Sequence, residues 1–466
     1  SKLRPRGARL HTMGGRSSGP EPLKDLFNFC IRLFKEKRAK GQNRLQPIDC
    51  LDIMNKIAEI VVVGGVRRSS EISLSDVDDR EIAEAKVGQF WDLYPHRSMS
   101  NNSAVYHGTP GVIRYMEEFT QLIKSGAGER GIFNRSGALK QMTASGRRKT
   151  WDDIGTNPCA EIILRDQEFC NLSEVVVRAT DNLQTLRHKV RVASMFGAWQ
   201  ATFTDFKGLR PKWKENCDEE RLLGVSLTGI MDHPILNNVN DKAKKWLGEL
   251  KSTAINETEK WCKQLGINMS AAITCVKPSG TVSQLVDAAS GIHPRHALHY
   301  IRRYRISATD PLFRMLRDQG VPWVPEVGQD PSTASTMVLE FPIAAPKGAK
   351  TRNDMTAKQQ LEHWQMVKEF WCEHNPSITV SVEEHEWPET AAWVYNNFDD
   401  ICGVSFLPKS NHVYQLAPYE EIDAGMYAVK SSQFPVIDYS KLSQYEQEDN
   451  TQGSQSYACL GDKCEV

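Results

Sequence analysis

The densest group of chemistry-bearing residues is Asn157-Pro158-Cys159-Ala160-Glu161, followed eleven positions after its cysteine by Cys170 in Phe169-Cys170-Asn171-Leu172-Ser173. Pro158 cannot sit in mid-strand, so Cys159 is expected on a loop tip, just ahead of a strand beginning near Glu161. Side chains alternate along an extended segment, which puts the amide, thiol and carboxylate at 157, 159 and 161 on one side. Such a set offers one ligand a radical or nucleophilic sulfur, a base and a hydrogen-bonding amide. By spacing alone, Cys159 and Cys170 also read as small buried hydrophobes.

Three further groups carry possible chemistry. Ile273-Thr274-Cys275-Val276 reads as a short buried strand running into Lys277-Pro278-Ser279-Gly280-Thr281-Val282-Ser283, a polar glycine turn that opens a helix. A strand, turn and helix in that order suit an anion, because backbone N–H groups at a helix start are unpaired, although Ser-Gly-Thr is also an ordinary N-cap. Cys459 and Cys464 lie on a polar C-terminal stretch. A zinc knuckle needs two more ligands nearby and none is present, so the pair reads as redox-active. The run from His293 to Arg305, with Arg295, His296, Arg302 and Arg303, reads either as the border of an anionic ligand or as a solvated basic face.

These groups need a scaffold, and the pattern supplies an α/β one. Residues 23–36, 48–63, 112–124, 183–204 and 241–265 have helical apolar spacing, whereas 66–76, 160–164 and 174–177 read as strands. Of the 466 residues, 40% are apolar and 25% charged, close to the globular average, and Lys plus Arg (58) balances Asp plus Glu (58). No global field favours nucleic acid or an acidic membrane surface, and no apolar run approaches the roughly 20 residues of a membrane span. Eleven cysteines spread through the chain suit a reducing, cytoplasmic setting. The N-terminus reads as neither a signal peptide nor a natural start, so a longer polypeptide is expected. Residues 443–466 are polar and read as a mobile tail behind a folded unit over 1–442.

The Asn157–Glu161 and Phe169–Ser173 motifs resemble the active-site loop of ribonucleotide reductases. The stretches RPRGARLHTMGGRSSGPEPL, GGVRRSSEISLSD, PHRSMSNNSAVY, RLLGVSLTGIMDH and KPSGTVSQLVDAASGIHPRHALHYIRRYRI are similar to the adenosylcobalamin-dependent (class II) members, and among them to the single-chain ribonucleoside-triphosphate reductases. The resemblance implies the later part of a ten-stranded α/β barrel with a central finger loop. It implies that Cys159 forms the thiyl radical, that Glu161 takes the 3′-hydroxyl proton, that Asn157 orients the ribose, and that Cys170 is one of two reducing thiols. The other reducing thiol belongs to an upstream strand. Ser279, Gly280, Thr281 and Ser283 would hold the substrate phosphates, and Cys459 with Cys464 would carry electrons from thioredoxin. Gly15, Arg16, Ser17 and Arg97 fall on loops that would read a deoxynucleoside triphosphate effector. No Tyr-Tyr pair of the metal-subunit class and no glycyl-radical motif occurs. The rival expectation is a catalytically incomplete nucleotide-binding fragment, or one half of a split enzyme completed by a partner chain.

Overall fold

The computed structural model describes residues 3–5, 8, 17, 19–63, 66–67, 70–88, 90–126, 128–151, 153–280, 282–308, 310–326, 336–409, 416, 418–446, 459–460 and 463–464. The expected helices form as Glu21–Ala39, Pro47–Ile60, Val112–Lys124, Leu183–Gln200 and Asp241–Leu265. Local chemistry sets their ends. Asn240 caps the last of them by accepting from the Ala243 N–H, and Gly266 closes it in the left-handed region at φ 66°. The helix expected to reach 204 stops at Gln200, because the Thr202 hydroxyl turns back to the Trp199 carbonyl (2.7 Å) and takes over its bonding.

Two sheets carry the core. Asn171–Val176, Leu223–Thr228 and Thr274–Cys275 lie parallel in one. The other runs in the order Thr379–Val382, Gly403–Pro408, Gly131–Asn134, Ser100–Tyr106 and Glu71–Asp76, with one antiparallel junction, between Gly403–Pro408 and Gly131–Asn134. A parallel bridge between Val276 and Pro376 joins the edges of the two sheets, making a row of eight strands. The architecture is therefore mixed α/β.

The helix Ala357–Phe370 packs on the seam between the sheets. Trp364, fully buried, donates its indole N–H to the Pro376 carbonyl (2.8 Å), and the equally buried Trp371 donates to the Cys275 carbonyl (2.8 Å). Each indole fills core volume and gives its polar N–H a strand-end carbonyl as partner. A separate antiparallel sheet of Trp323–Pro325, Thr336–Ala344, His299–Ser307 and Tyr419–Glu421 builds its own core with Phe313, Met315 and Leu316 of the helix Pro311–Asp318.

Two expectations change here. The run from 293 to 305 is not a solvated face: Arg295 is buried in a two-point ion pair with Asp232 (both 2.8 Å), and Arg303 pairs with Glu340 (2.7 Å) and Glu420. Nor does packed chain end at 442. Leu442–Tyr445 is a short helix whose Leu442 and Tyr445 join the second core, and the Tyr445 hydroxyl donates to Asp318 (3.1 Å). Among the described residues, no helix is long and apolar enough to cross a membrane.

Replacing Trp371 with Phe keeps an aromatic ring but removes the indole donor to the Cys275 carbonyl. Stability is expected to fall by about 1–3 kcal/mol, read as a lower urea midpoint with an unchanged slope.

Candidate active site

Cys159 sits on a hairpin. Ile154–Thr156 and Ile163–Arg165 pair antiparallel as an isolated two-stranded unit, and residues 157–162 form the loop between them. Thr156 pairs with Ile163, so the second strand begins at 163 rather than near 161. The loop is compact, not extended. Ala160 N–H donates to the Asn157 carbonyl (2.9 Å), and Ala160 takes φ 60°. The Asn157 side-chain oxygen accepts from the Ile162 N–H (2.9 Å), and the Thr156 hydroxyl donates to the Ile162 carbonyl (2.8 Å). Asn157 thus locks the turn with the carbonyl half of its amide.

Three outside segments hold this loop. Asn375 donates its side-chain N–H to the Ala160 carbonyl (2.9 Å) and the Gly403 carbonyl (3.3 Å), and its backbone N–H to the Glu161 carbonyl (3.1 Å). A Cβ on Gly403 would stand 2.5 Å from that of Ala160, so the glycine is what allows the close approach. Asn101, on the strand Ser100–Tyr106, donates to the Pro158 carbonyl (2.7 Å). Burial, with the Arg148 charge nearby, pushes His374 down to about 3, so its ring is neutral. Its Nδ1 accepts from the Ile163 N–H (3.4 Å), which leaves Nε2 as the donor to the Leu223 carbonyl (3.1 Å).

Glu161 is fully buried. Its Oε1 meets the Lys277 Nζ at 3.1 Å, while Oε2 is buried with no hydrogen-bond partner among the described residues. Burial opposes the Lys277 charge, but the Glu161 carboxylate outweighs it and holds the ammonium above the ordinary lysine range. Cys159 is half-buried, and burial, helped by the Glu161 charge and partly offset by Lys277, pushes its thiol up. The sulfur therefore keeps its hydrogen at neutral pH.

Cys170 lies at the start of the strand Asn171–Val176. Burial, with Glu168 and Glu161 adding to it, pushes this thiol far up as well. Its room comes from Gly224 on the neighbouring strand, where a Cβ would stand 3.3 Å from the Cys170 sulfur and 2.4 Å from Leu172 Cδ2. The preceding loop is anchored by the fully buried Arg148, which bridges Glu168 (3.2 Å) and Glu220 (2.7 Å). Burial and the Glu220 charge push Glu168 up to about 8.

The other expected site residues are placed unevenly. The Ser279 hydroxyl donates to Glu174 (3.1 Å) and accepts from the Ser283 N–H (2.9 Å), and the Ser283 hydroxyl donates to the Ser279 carbonyl. Both serines are buried, with the Ser279 hydroxyl spent on Glu174 and the Ser283 hydroxyl spent within the turn. Gly280 is exposed, with nothing within 4 Å of a built Cβ. Thr281, Gly15 and Arg16 lie outside the described residues. The Ser17 hydroxyl oxygen accepts from the Gly19 N–H (3.1 Å). Arg97 is not a free loop cation: it makes a two-point pair with Asp52 (2.6 and 2.8 Å), donates to the Ala85 carbonyl (3.0 Å) and lies 3.9 Å over the Tyr94 ring. Its loop is a 3-10 turn, Pro95–Met99, leading into the strand Ser100–Tyr106. Cys459 stands opposite Cys464 in the register of a two-stranded antiparallel pair.

Sequence reasoning missed the His374-Asn375 pair and Lys277's contact with Glu161. Lys277 was visible beside the phosphate-type turn, but nothing in the sequence pointed it toward a residue 116 positions away.

Asn375→Ala removes the side-chain donor that holds the hairpin at the Ala160 carbonyl, and with it the bond to Gly403. A loss of about 1–3 kcal/mol is expected, together with faster alkylation of Cys159 relative to the exposed Cys50, measured by mass spectrometry after an iodoacetamide pulse.

No family model matches the chain. It is 30% identical over 466 residues to the adenosylcobalamin-dependent ribonucleoside-triphosphate reductase of Lacticaseibacillus paracasei, covering 92% of this chain and 60% of that one. The enzyme of the same name from Lactobacillus leichmannii is 30% identical over 475 residues, covering 93% and 61%. The crystal structure of a B12-dependent (class II) ribonucleotide reductase superposes with a TM-score of 0.76 and 25% identity, over 96% of this chain and 64% of that one. The alpha subunit of the Actinobacillus ureae class Id enzyme, 11% identical with a TM-score of 0.51 over 77% of this chain and 74% of that one, shares the fold. The chain spans about 60% of the length of the curated relatives it matches, and over that span it is similar to the adenosylcobalamin-dependent, class II ribonucleotide reductases.

Proposed function

We propose that this chain carries the catalytic hairpin, one reducing thiol and the phosphate turn of an enzyme that reduces ribonucleoside triphosphates to 2′-deoxyribonucleoside triphosphates, for DNA synthesis. The observation that carries the reading is the junction of a protonated thiol, Cys159, with a buried carboxylate that has one unpartnered oxygen, Glu161. A sulfur can exchange a hydrogen atom with a sugar carbon because S–H and C–H bonds are close in strength, and it must hold that hydrogen to take part. Adenosylcobalamin supplies the one-electron chemistry that removes it. The residues present fit such a cofactor on one point, the half-buried hairpin-tip thiol that burial keeps protonated.

In the proposed cycle, the sulfur of Cys159 takes the ribose 3′ hydrogen and Glu161 takes the 3′-hydroxyl proton. The 2′-hydroxyl leaves as water, carrying a proton from a reducing thiol. Cys170 and a thiol from the remainder of the enzyme supply two electrons and end as a disulfide, the second of their hydrogens passing to the 2′ carbon; Glu161 returns its proton to the 3′ oxygen, and the Cys159 sulfur returns its hydrogen atom to the 3′ carbon. Asn157 shapes the hairpin and presents its amide toward the sugar. Among the turn residues Ser279, Gly280, Thr281 and Ser283, the backbone around Gly280 is the part open to phosphate.

The eight-strand row and its hairpin support a ten-stranded barrel, with the hairpin as its finger loop and two strands supplied by the rest of the enzyme. The folded unit over 1–442 extends to about residue 446, and the tail that follows would bring Cys459 and Cys464 to the buried disulfide, with thioredoxin as the external reductant. Their opposed register suits a pair that cycles between dithiol and disulfide. For the effector loops, the Asn101 to Pro158 bond supports a relay from the segment 95–102 to the hairpin, in which Arg97 braces the segment rather than touching nucleotide. A second reading, an incomplete fragment or one half of a split enzyme working in the cytoplasm with a partner chain, is favoured by the 60% span.

Cys159→Ser, in an enzyme completed with the missing segment, is expected to lose nucleotide reduction while still binding nucleotide, since an O–H bond is too strong to yield the radical; measurable reduction would sink the assignment. A Cβ built at Gly280 has nothing within 4 Å among the described residues, so the stability of Gly280→Val should hold while triphosphate affinity, measured by calorimetry, falls about tenfold or more, equivalent to about 1.4 kcal/mol.

A further inference from the structure

The turn that follows Val276 carries a lysine that does not face outward with Gly280. Lys277 reaches back to the catalytic hairpin, where its Nζ lies 3.1 Å from Glu161 Oε1. A carboxylate with no exposed area is costly to keep charged unless it is paired. The groups around Glu161 come from several elements. Cys159 is on its own hairpin, Cys170 begins one strand, Cys275 ends another, and neutral His374 precedes the Asn375 that holds its backbone. Burial pushes all three thiols up, so none of these groups offers a positive charge. Glu174, hydrogen-bonded to Ser279, adds a carboxyl on the far side of Lys277. Lys277 is the cation that the described residues place on Glu161, and it occupies one oxygen only.

We propose that Lys277 is a positioning residue for the base: it supplies the charge that pairs the buried carboxylate, fixes Oε1 of Glu161, and leaves Oε2 as the oxygen that accepts a proton. This rests on the reading of Glu161 as the group that deprotonates the ribose 3′-hydroxyl. In that step the proton moves from the hydroxyl oxygen to Oε2, giving a neutral carboxyl beside an unchanged ammonium and leaving the negative charge on the 3′ oxygen. The ammonium touches no substrate atom in this scheme. Because Lys277 directly precedes the Pro278-Ser279-Gly280 turn, the segment that would seat the phosphates also fixes the base.

The test compares the parent chain with Lys277→Met, Lys277→Arg and the double variant Lys277→Met/Glu161→Gln, by infrared spectroscopy of glutamate-labelled protein at pH 7. Lys277→Met is expected to gain a buried carboxylic-acid carbonyl band that is missing from the parent, from Lys277→Arg and from the double variant. The double variant carries no stranded charge, so it keeps the comparison open should the single variant fold poorly. In the completed enzyme, kcat should fall about 100-fold in Lys277→Met with KM within about twofold, and Lys277→Arg should recover most of the loss. An unchanged band pattern, or a raised KM at unchanged kcat, would overturn the proposal and make Lys277 a phosphate ligand. Full turnover by Glu161→Gln would instead remove the reading of Glu161 as the base, whatever the bands show.

Discussion

The hairpin that carries Cys159 has no sheet of its own to lean on. Two short strands and a six-residue loop cannot hold a reactive atom in place unaided, since an isolated hairpin is marginal in water. Its position depends on hydrogen bonds from outside, and Asn375 supplies two of them, to Ala160 and Glu161, while a third bond ties Asn375 to Gly403 of the five-stranded sheet. Asn375 is itself fixed because the backbone on either side of it completes the Val276–Pro376 bridge. The seam that joins the two sheets is therefore also the mount for the thiol. Trp364 and Trp371 stiffen that seam from beneath by pairing the carbonyls of Pro376 and Cys275.

This arrangement explains how a charged group is carried in the interior. The hairpin turns Glu161 inward while Cys159 stays half-buried at the tip, so two residues two positions apart see different surroundings. A tight turn achieves this where an extended strand would have pointed both the same way. The left-handed Ala160 between them is the residue that makes the difference. Preorganisation of this kind places the cost of burying the carboxylate in folding, before any substrate arrives.

Much of the scaffold was legible in the sequence because helices announce themselves by period and caps. The helices Val112–Lys124 and Asp241–Leu265 begin and end where the pattern placed them. The hairpin was harder. Its loop was read as extended because alternation was applied across Asn157 to Glu161, whereas the Asn157 side chain captures the Ile162 N–H and bends the chain. The phosphate turn was legible as a strand, turn and helix. The inward direction of Ser279 and Ser283 was not, since it depends on Glu174 from a distant strand. The ion pairs of Arg97 and of the basic run from 293 to 305 are not legible in the sequence for the same reason: their acidic partners, Asp52, Asp232, Glu340 and Glu420, are remote in sequence. Pairing of charges across sheets is a tertiary property that residue type alone does not declare.

The approach of Ala160 to Gly403 fixes how these two positions can vary. The space between them holds one methyl group: Ala160 has it, and a Cβ at Gly403 would fall 2.5 Å away. The left-handed backbone at 160 would itself be more comfortable as glycine. Alanine at 403 therefore becomes admissible only when 160 gives up its side chain. Two sites 243 residues apart in the chain thus share a single volume allowance and are free to change only together.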